Sequence, residues 1–339
     1  MIRLLIALVA LPISFLLIGS TGAQAVQTER PKVSVDDQIA RATNRIAKQQ
    51  LYTLEYKLKK GDELRWDFEQ VVETKFQMAG FTEESSSRSE NRRLWKVANV
   101  DQLGNMTFVC SVESIKMWQK TGEADPVSYD SKIDKEVPDE YAVSAESVGK
   151  PQAIFFITPS GRIKDRRSMQ KEYDFGAGQV TVPLPEKPVA IGYQWSIPTV
   201  LSATDDNDRP VKLKARILYT LAKVVDRNAF ISFRTEVLTP VTSEKIKSVI
   251  MQKMNKGTIV FDIVRGYPVL KRVLWDEKAQ GFEGPDSYLK YVGSMSEKFV
   301  IQTKAEKANG LSALSPVASE VARKQVEVKT SESKPVLRK

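Results

Sequence analysis

The chain has no histidine and a single cysteine in 339 residues. The first absence excludes Ser-His-Asp and Cys-His nucleophile systems, a histidine general base and histidine-ligated metal. The second excludes intramolecular disulfides, Cys-rich zinc sites and iron–sulfur clusters. Long apolar runs are missing beyond the N-terminus, so no segment there reaches the ~20 residues a membrane-spanning helix needs. No basic stripe with interleaved stacking aromatics is present, and nucleic acid is not an expected partner. No cofactor or metal is expected either. Gly176-Ala177-Gly178 lacks the third glycine of a dinucleotide loop, and Asp205-Asp206-Asn207-Asp208 lacks the spacing of a calcium loop and reads as a solvated turn.

What is present starts with an address. Met1-Ile2-Arg3 is a short basic start, Leu4 to Ile18 is apolar apart from Pro12 and Ser14, and Ala23-Gln24-Ala25 matches the A-x-A cleavage pattern. Residues 1–25 therefore read as a signal peptide cleaved near Ala25, which places the protein in the periplasm or outside the cell. Residues 26–50 read as a leader with an amphipathic helix, on the spacing of Ile39, Ala42, Ile46 and Ala47. Residues 303–339 lack aromatics and are rich in Lys, Ala, Ser and Glu, the composition of a disordered basic tail. Charge is otherwise mixed, with 51 Lys and Arg against 42 Asp and Glu.

Between these ends the apolar pattern has a period of two. Leu64, Trp66, Phe68, Val72, Phe76 and Met78 fall on even positions, with Arg65, Asp67, Glu69 and Lys75 between them. The spacing predicts one long strand with Trp66 facing a core and Arg65 facing solvent. Its partners are expected over 82–98 and 106–117. Turn residues then separate further hairpins at 153–158/162–166, 211–225/229–238 and 258–264/269–275, with a last strand over 287–302. Ser243 to Asn255 breaks the pattern, spacing Ile246, Val249, Ile250 and Met254 helically. The fold class is mainly β: a large curved antiparallel sheet or partial barrel with one or two helices.

The body reads as two β-rich halves, 51–178 and 179–302. Gly61 shortly before Trp66 resembles Gly192 before Trp195, and each is followed by a Phe-containing hairpin turning at Gly161 or Gly266. Duplication and chance likeness between hairpins both fit.

Catalytic signals are weak. Cys110 lies in phase with Phe108 and Val112 and reads as a buried apolar residue. Ser-x-x-Lys occurs at Ser147, Ser168 and Ser331, but Lys120-Thr121-Gly122 precedes all three, the reverse of the order in penicillin-recognising enzymes. The expectation is a protein without enzyme activity.

The phrases Tyr56-Lys57-Leu58-Lys59-Lys60-Gly61-Asp62, Tyr129-Asp130-Ser131, Val148-Gly149-Lys150-Pro151 and Ile157-Thr158-Pro159-Ser160-Gly161, with the stretch from Gly257 to Gly266, resemble a family of exported β-rich bacterial proteins of unknown function. The resemblance covers about residues 51–302, implies a cell-envelope setting and transfers no catalytic residue. A binding or structural role follows as the expectation. Trp66, Phe68, Phe76 and Phe108 would line an apolar face that holds a lipid or another envelope component, or would fill ordinary core. The alternative is a carboxylate-dependent hydrolase acting on envelope polymers.

Overall fold

The structure, a computed structural model, describes residues 50–169 and 181–300. The expected signal peptide, leader helix and basic tail, and residues 170–180 between the two halves, lie outside the described residues.

The period-two pattern folds as predicted. The strands are β1 (Glu63–Met78), β2 (Phe81–Val100), β3 (Met106–Thr121), β4 (Val127–Asp130), β5 (Pro151–Ile157), β6 (Ile163–Ser168), β7 (Gln194–Thr204), β8 (Pro210–Val225), β9 (Asn228–Val237), β10 (Lys256–Asp262), β11 (Tyr267–Gln280) and β12 (Tyr288–Phe299). Two short helices accompany them, α1 (Ala142–Glu146) and α2 (Glu244–Ile250), each next to a single 3-10 turn. The strands β4 and β7 and the helix α1 carry weak sequence signals and were not anticipated. Strand β4 has four residues, and β7 contains Pro198. Proline is tolerated there because β7 is an edge strand.

All strands join one antiparallel sheet in the order β6-β5-β3-β2-β1-β12-β11-β10-β9-β8-β7, with β4 attached to β3. The chain builds outward from β1 to the edge at β6, crosses to the opposite edge at β7, and returns to place β12 beside β1. The sheet is not closed. The edge strand β6 carries Lys164, Asp165, Arg166 and Arg167, charges that discourage pairing with another chain.

The sheet curls strongly. Six strand-to-strand steps separate β5 from β10, about 29 Å in a flat sheet. Yet two consecutive residues reach the turns beside both strands. The Tyr56 amide donates to the Pro159 carbonyl at 2.7 Å, and the Lys57 amide donates to the Gly266 carbonyl at 3.2 Å. Two glycines permit this approach. A Cβ on Gly161 would lie 2.5 Å from the Tyr56 ring, and one on Gly266 would lie 2.4 Å from the Lys57 nitrogen. Both residues have positive φ, which glycine adopts without strain.

The core sits on the concave face, under the segments 51–60 and 181–193. Leu54, Tyr56, Leu58, Val182, Leu184 and Val189 from those segments join it. Aromatic rings step across the sheet from Trp66 to Trp95 (4.4 Å between centroids), Phe108 (4.7 Å) and Phe155 (5.5 Å). The second half repeats the arrangement with Trp195, Tyr219 and Phe233, at 5.5 and 6.0 Å. In each half the ladder begins at the tryptophan that follows Gly61 or Gly192 in the sequence.

The convex face of the central strands carries ion pairs between neighbouring strands, among them Arg92–Asp67, Arg88–Glu69 and Lys75–Glu84, each at 2.8 Å or less. Here one expectation fails. Arg65 does point away from Trp66, but it is not in solvent. Its guanidinium is held by Glu113 at 2.9 Å and Glu63 at 3.2 Å, and the residue is 8% exposed. Alternation fixes the face a side chain takes; it does not fix what covers that face.

Candidate functional site

The four aromatic residues expected to share an apolar face do not form one surface. Trp66 and Phe108 are packed inside the ring ladder, and the Trp66 indole donates to the Pro268 carbonyl at 3.1 Å. They are core residues. Phe68 lies one step further along β1, under the Arg93 guanidinium, which sits 4.0 Å from the ring centroid. Arg93 pairs with Glu297 at 3.6 Å, and the buried Lys271 stands opposite Glu297 in register. Burial pulls the Lys271 pKa down, opposed by the nearby Glu297 charge. This charged layer separates the aromatic core from the outer part of the concave face. Phe76 belongs to that outer part, about 33 Å along β1 from Trp66, and packs on Phe282 at 6.0 Å.

The remaining single-residue expectations resolve simply. Cys110 is buried, and burial pushes its thiol pKa well up, so it lacks the exposed, thiolate-favouring setting of a reactive cysteine. The Asp205–Asp208 turn is not simply solvated. Asp205 holds its own loop through Arg209, Asp206 accepts from the Ser243 hydroxyl at 2.8 Å, and Asp208 pairs with Lys245 at 2.8 Å.

Lys245 lies on the helix that walls a cleft in the second half. Ser243 caps α2, accepting from the Ile246 amide, and Glu244 occupies the first turn. The helix crosses the concave side of the sheet and touches both β7 and β11. Lys245 fixes it at two places, since the same ammonium reaches Asp208 in the β7–β8 turn and Glu283 (3.4 Å) in the β11–β12 loop. Its apolar side, through Ile246 and Ile250, together with Met254 just after the helix, covers Leu201, Ala203, Leu213 and Ala215 of β7 and β8.

Beside α2 the sheet has a gap. Strand β10 starts at Lys256, paired with Leu274, but β11 runs on to Gln280 with only β12 as its strand partner. Strand β9 ends at Val237. The space left between β9 and the outer end of β11 is a cleft of about 530 Å³. Its apolar wall is Val237, Leu238, Val241, Ile250, Met251 and Met254, and Lys247, Glu277 and Lys278 stand at its polar side. Glu277 and Lys278 are consecutive, with side chains on opposite faces of β11, so the cleft follows that strand's open edge. Burial pushes the Glu277 carboxyl pKa above its ordinary value, partly opposed by Lys256 and reinforced by Asp276.

Sequence reasoning found the helix that walls this cleft but missed the cleft itself. The apolar spacing of Ile246, Ile250 and Met254 was visible. The late start of β10 was not, because nothing local in Asn255-Lys256-Gly257 marks where its partner strand loses contact.

No family model matches the chain, and no curated protein is significantly similar to it. Among solved structures, a lipovitellin structure concerned with lipid–protein interactions overlays with a TM-score of 0.42 at 11% identity. The overlay covers 72% of this chain and 26% of that one, so the chain spans about a quarter of that protein's length. At that level of overlap the likeness fixes neither a ligand nor a function. Among the described residues no helix is long and apolar enough to cross a membrane.

Proposed function

We propose that this protein is an exported, non-enzymatic cell-envelope protein that carries an apolar ligand, and that the cleft beside the open edge of β11 holds it. One observation carries the reading: about 530 Å³ of space walled by Val237, Leu238, Val241, Ile250, Met251 and Met254. That volume lies within the usual range of small-molecule sites, ~300–1,000 Å³, and the mixture of apolar wall and few polar groups is the usual composition. Two methionines add a wall that adapts to ligands of different shape. The export assignment rests on the N-terminal sequence.

The hydrolase reading has one observation in its favour, the raised pKa of Glu277. It is weaker, because glycoside chemistry needs two facing carboxyl groups and Glu277 is the one carboxylate among the described residues that line this cleft.

Native mass spectrometry of protein recovered from its own envelope tests the carrier reading. An adduct of lipid mass should accompany the wild type and be lost in Leu238→Trp, which fills the cleft from an exposed position. A bare wild-type chain that also takes up no added amphiphile would overturn it.

A further inference from the structure

The lysines beside the cleft are arranged in a way that folding alone does not reward. Lys278 of β11 stands directly opposite Lys290 of β12, and Lys290 stands directly opposite Lys75 of β1. Like charges directly opposite on adjacent strands repel. Elsewhere on this convex face facing charges are compensated: Asp67 stands opposite Arg92, and Glu69 and Glu90, which face each other, both pair with Arg88. Lys75 is neutralised by Glu84 at 2.7 Å. Among the described residues no carboxylate pairs with Lys278 or Lys290, and both are exposed. The uncompensated pair begins at the residue that borders the apolar cleft, because Lys278 is part of its lining. Glu277, the cleft's carboxyl group, projects to the other face of the strand, and Asp276, which shares the face of Lys278, makes no ion pair with it.

We propose that the ligand is an anionic amphiphile, with its hydrocarbon chain in the cleft and its carboxylate or phosphate head group between Lys278 and Lys290. This rests on the carrier reading and narrows it. The open edge of β11 lets one molecule do both things: the chain passes beside the strand into the apolar space, and the head stays on the convex, lysine-bearing face. Two ammonium groups on neighbouring strands supply charge and up to six N–H donors to an oxyanion.

Calorimetry with the full mature chain tests this, using three probes below their micelle concentrations: palmitate, palmitoyl-lysophosphatidylglycerol and palmitoyl-lysophosphatidylcholine. The two anionic probes should bind about tenfold or more tightly than the zwitterion, and the preference should shrink in high salt. Tighter binding of palmitate points to free fatty acid as the source, and tighter binding of the phosphoglycerol probe points to a lipid head group. Lys278→Ser with Lys290→Ser should weaken binding of both anionic probes about tenfold and so abolish the preference. Both lysines are exposed, so the fold should survive, and circular dichroism checks it. Equal binding of charged and zwitterionic probes, or a preference that survives the double substitution, would overturn the head-group assignment and leave the cleft standing. Failure of all three to bind would overturn the carrier reading as well.

Discussion

Arg65 and Trp66 are neighbours in β1, point to opposite faces of the sheet, and are both buried. Trp66 is covered by rings and Arg65 by carboxylates. Replacing Trp66 by Ala should cost ~3–5 kcal/mol, the usual range for a core aromatic. Replacing Arg65 by Ala should cost about 1–3 kcal/mol, because Glu113 and Glu63 lose the donor that offsets their partial burial. Urea titrations of both variants measure the two values. A near-zero cost at Arg65 would mean that solvent reaches the pair freely.

Gly161 and Gly266 give a second measurable contrast. Gly161, Gly266 and Gly192 all have positive φ, so Ala is strained at each. A Cβ at Gly192 would meet nothing within 4 Å, whereas at Gly161 it would strike the Val182 carbonyl and the Tyr56 ring of the strap, and at Gly266 the Lys57 backbone of the strap. Gly192→Ala should cost roughly 1 kcal/mol and the other two about 2–4 kcal/mol. The melting temperatures of the three variants should fall in that order. Equal losses would show that the strap gives way easily and does not hold the curled sheet.

These two contrasts also mark what was legible in the sequence. The long strand, its two partners, the later hairpins and the helix after Ser243 could all be read, because alternation and turn residues are local signals. The recurrence of glycine before tryptophan and of a glycine-turned hairpin was legible too, and both hairpin glycines prove to contact one strap. What could not be read is whatever depends on distant chain segments. The burial of Arg65 needs Glu113 from β3, and the charged layer over Phe68 needs Glu297 from β12. The cleft depends on two strands separated in sequence, β9 and β11, losing the strand between them. Period-two spacing assigned Trp66 and Phe76 to one face correctly, but one face of so long a strand passes from sealed core to open surface.

Lys245 should govern how firmly α2 sits. Its ammonium is shared by Asp208 and Glu283, and these hydrogen-bonded carboxylates raise its pKa above the ordinary lysine value, so the contacts are fully charged at neutral pH. Lys245→Met should make the 238–255 segment more susceptible to limited proteolysis at neutral pH while the melting temperature changes little. High salt should produce a weaker version of the same effect in the wild type, since exposed charges are screened. Unchanged cleavage would mean that the apolar contacts of Ile246, Ile250 and Met254 alone seat the helix.

Glu277 offers a pH-dependent test of the cleft. Burial in its wall disfavours the charged carboxylate, so its pKa in the folded protein lies above the unfolded value of 4.5. A group with a raised folded pKa supports the fold fully below its unfolded pKa, and that support is lost as pH rises through the folded value. Glu277→Gln keeps the shape and removes the charge. It should therefore raise the melting temperature at pH 7 relative to wild type and give no advantage at pH 4, where the wild-type carboxyl is largely protonated. Lys256 opposes the shift and Asp276 strengthens it, so Asp276→Asn should reduce the advantage. A bound chain that excludes water from the cleft should enlarge the advantage at pH 7, because desolvation is the leading cause of the shift. If Glu277→Gln stabilises equally at both pH values, its effect is one of packing and the cleft does not desolvate the carboxylate.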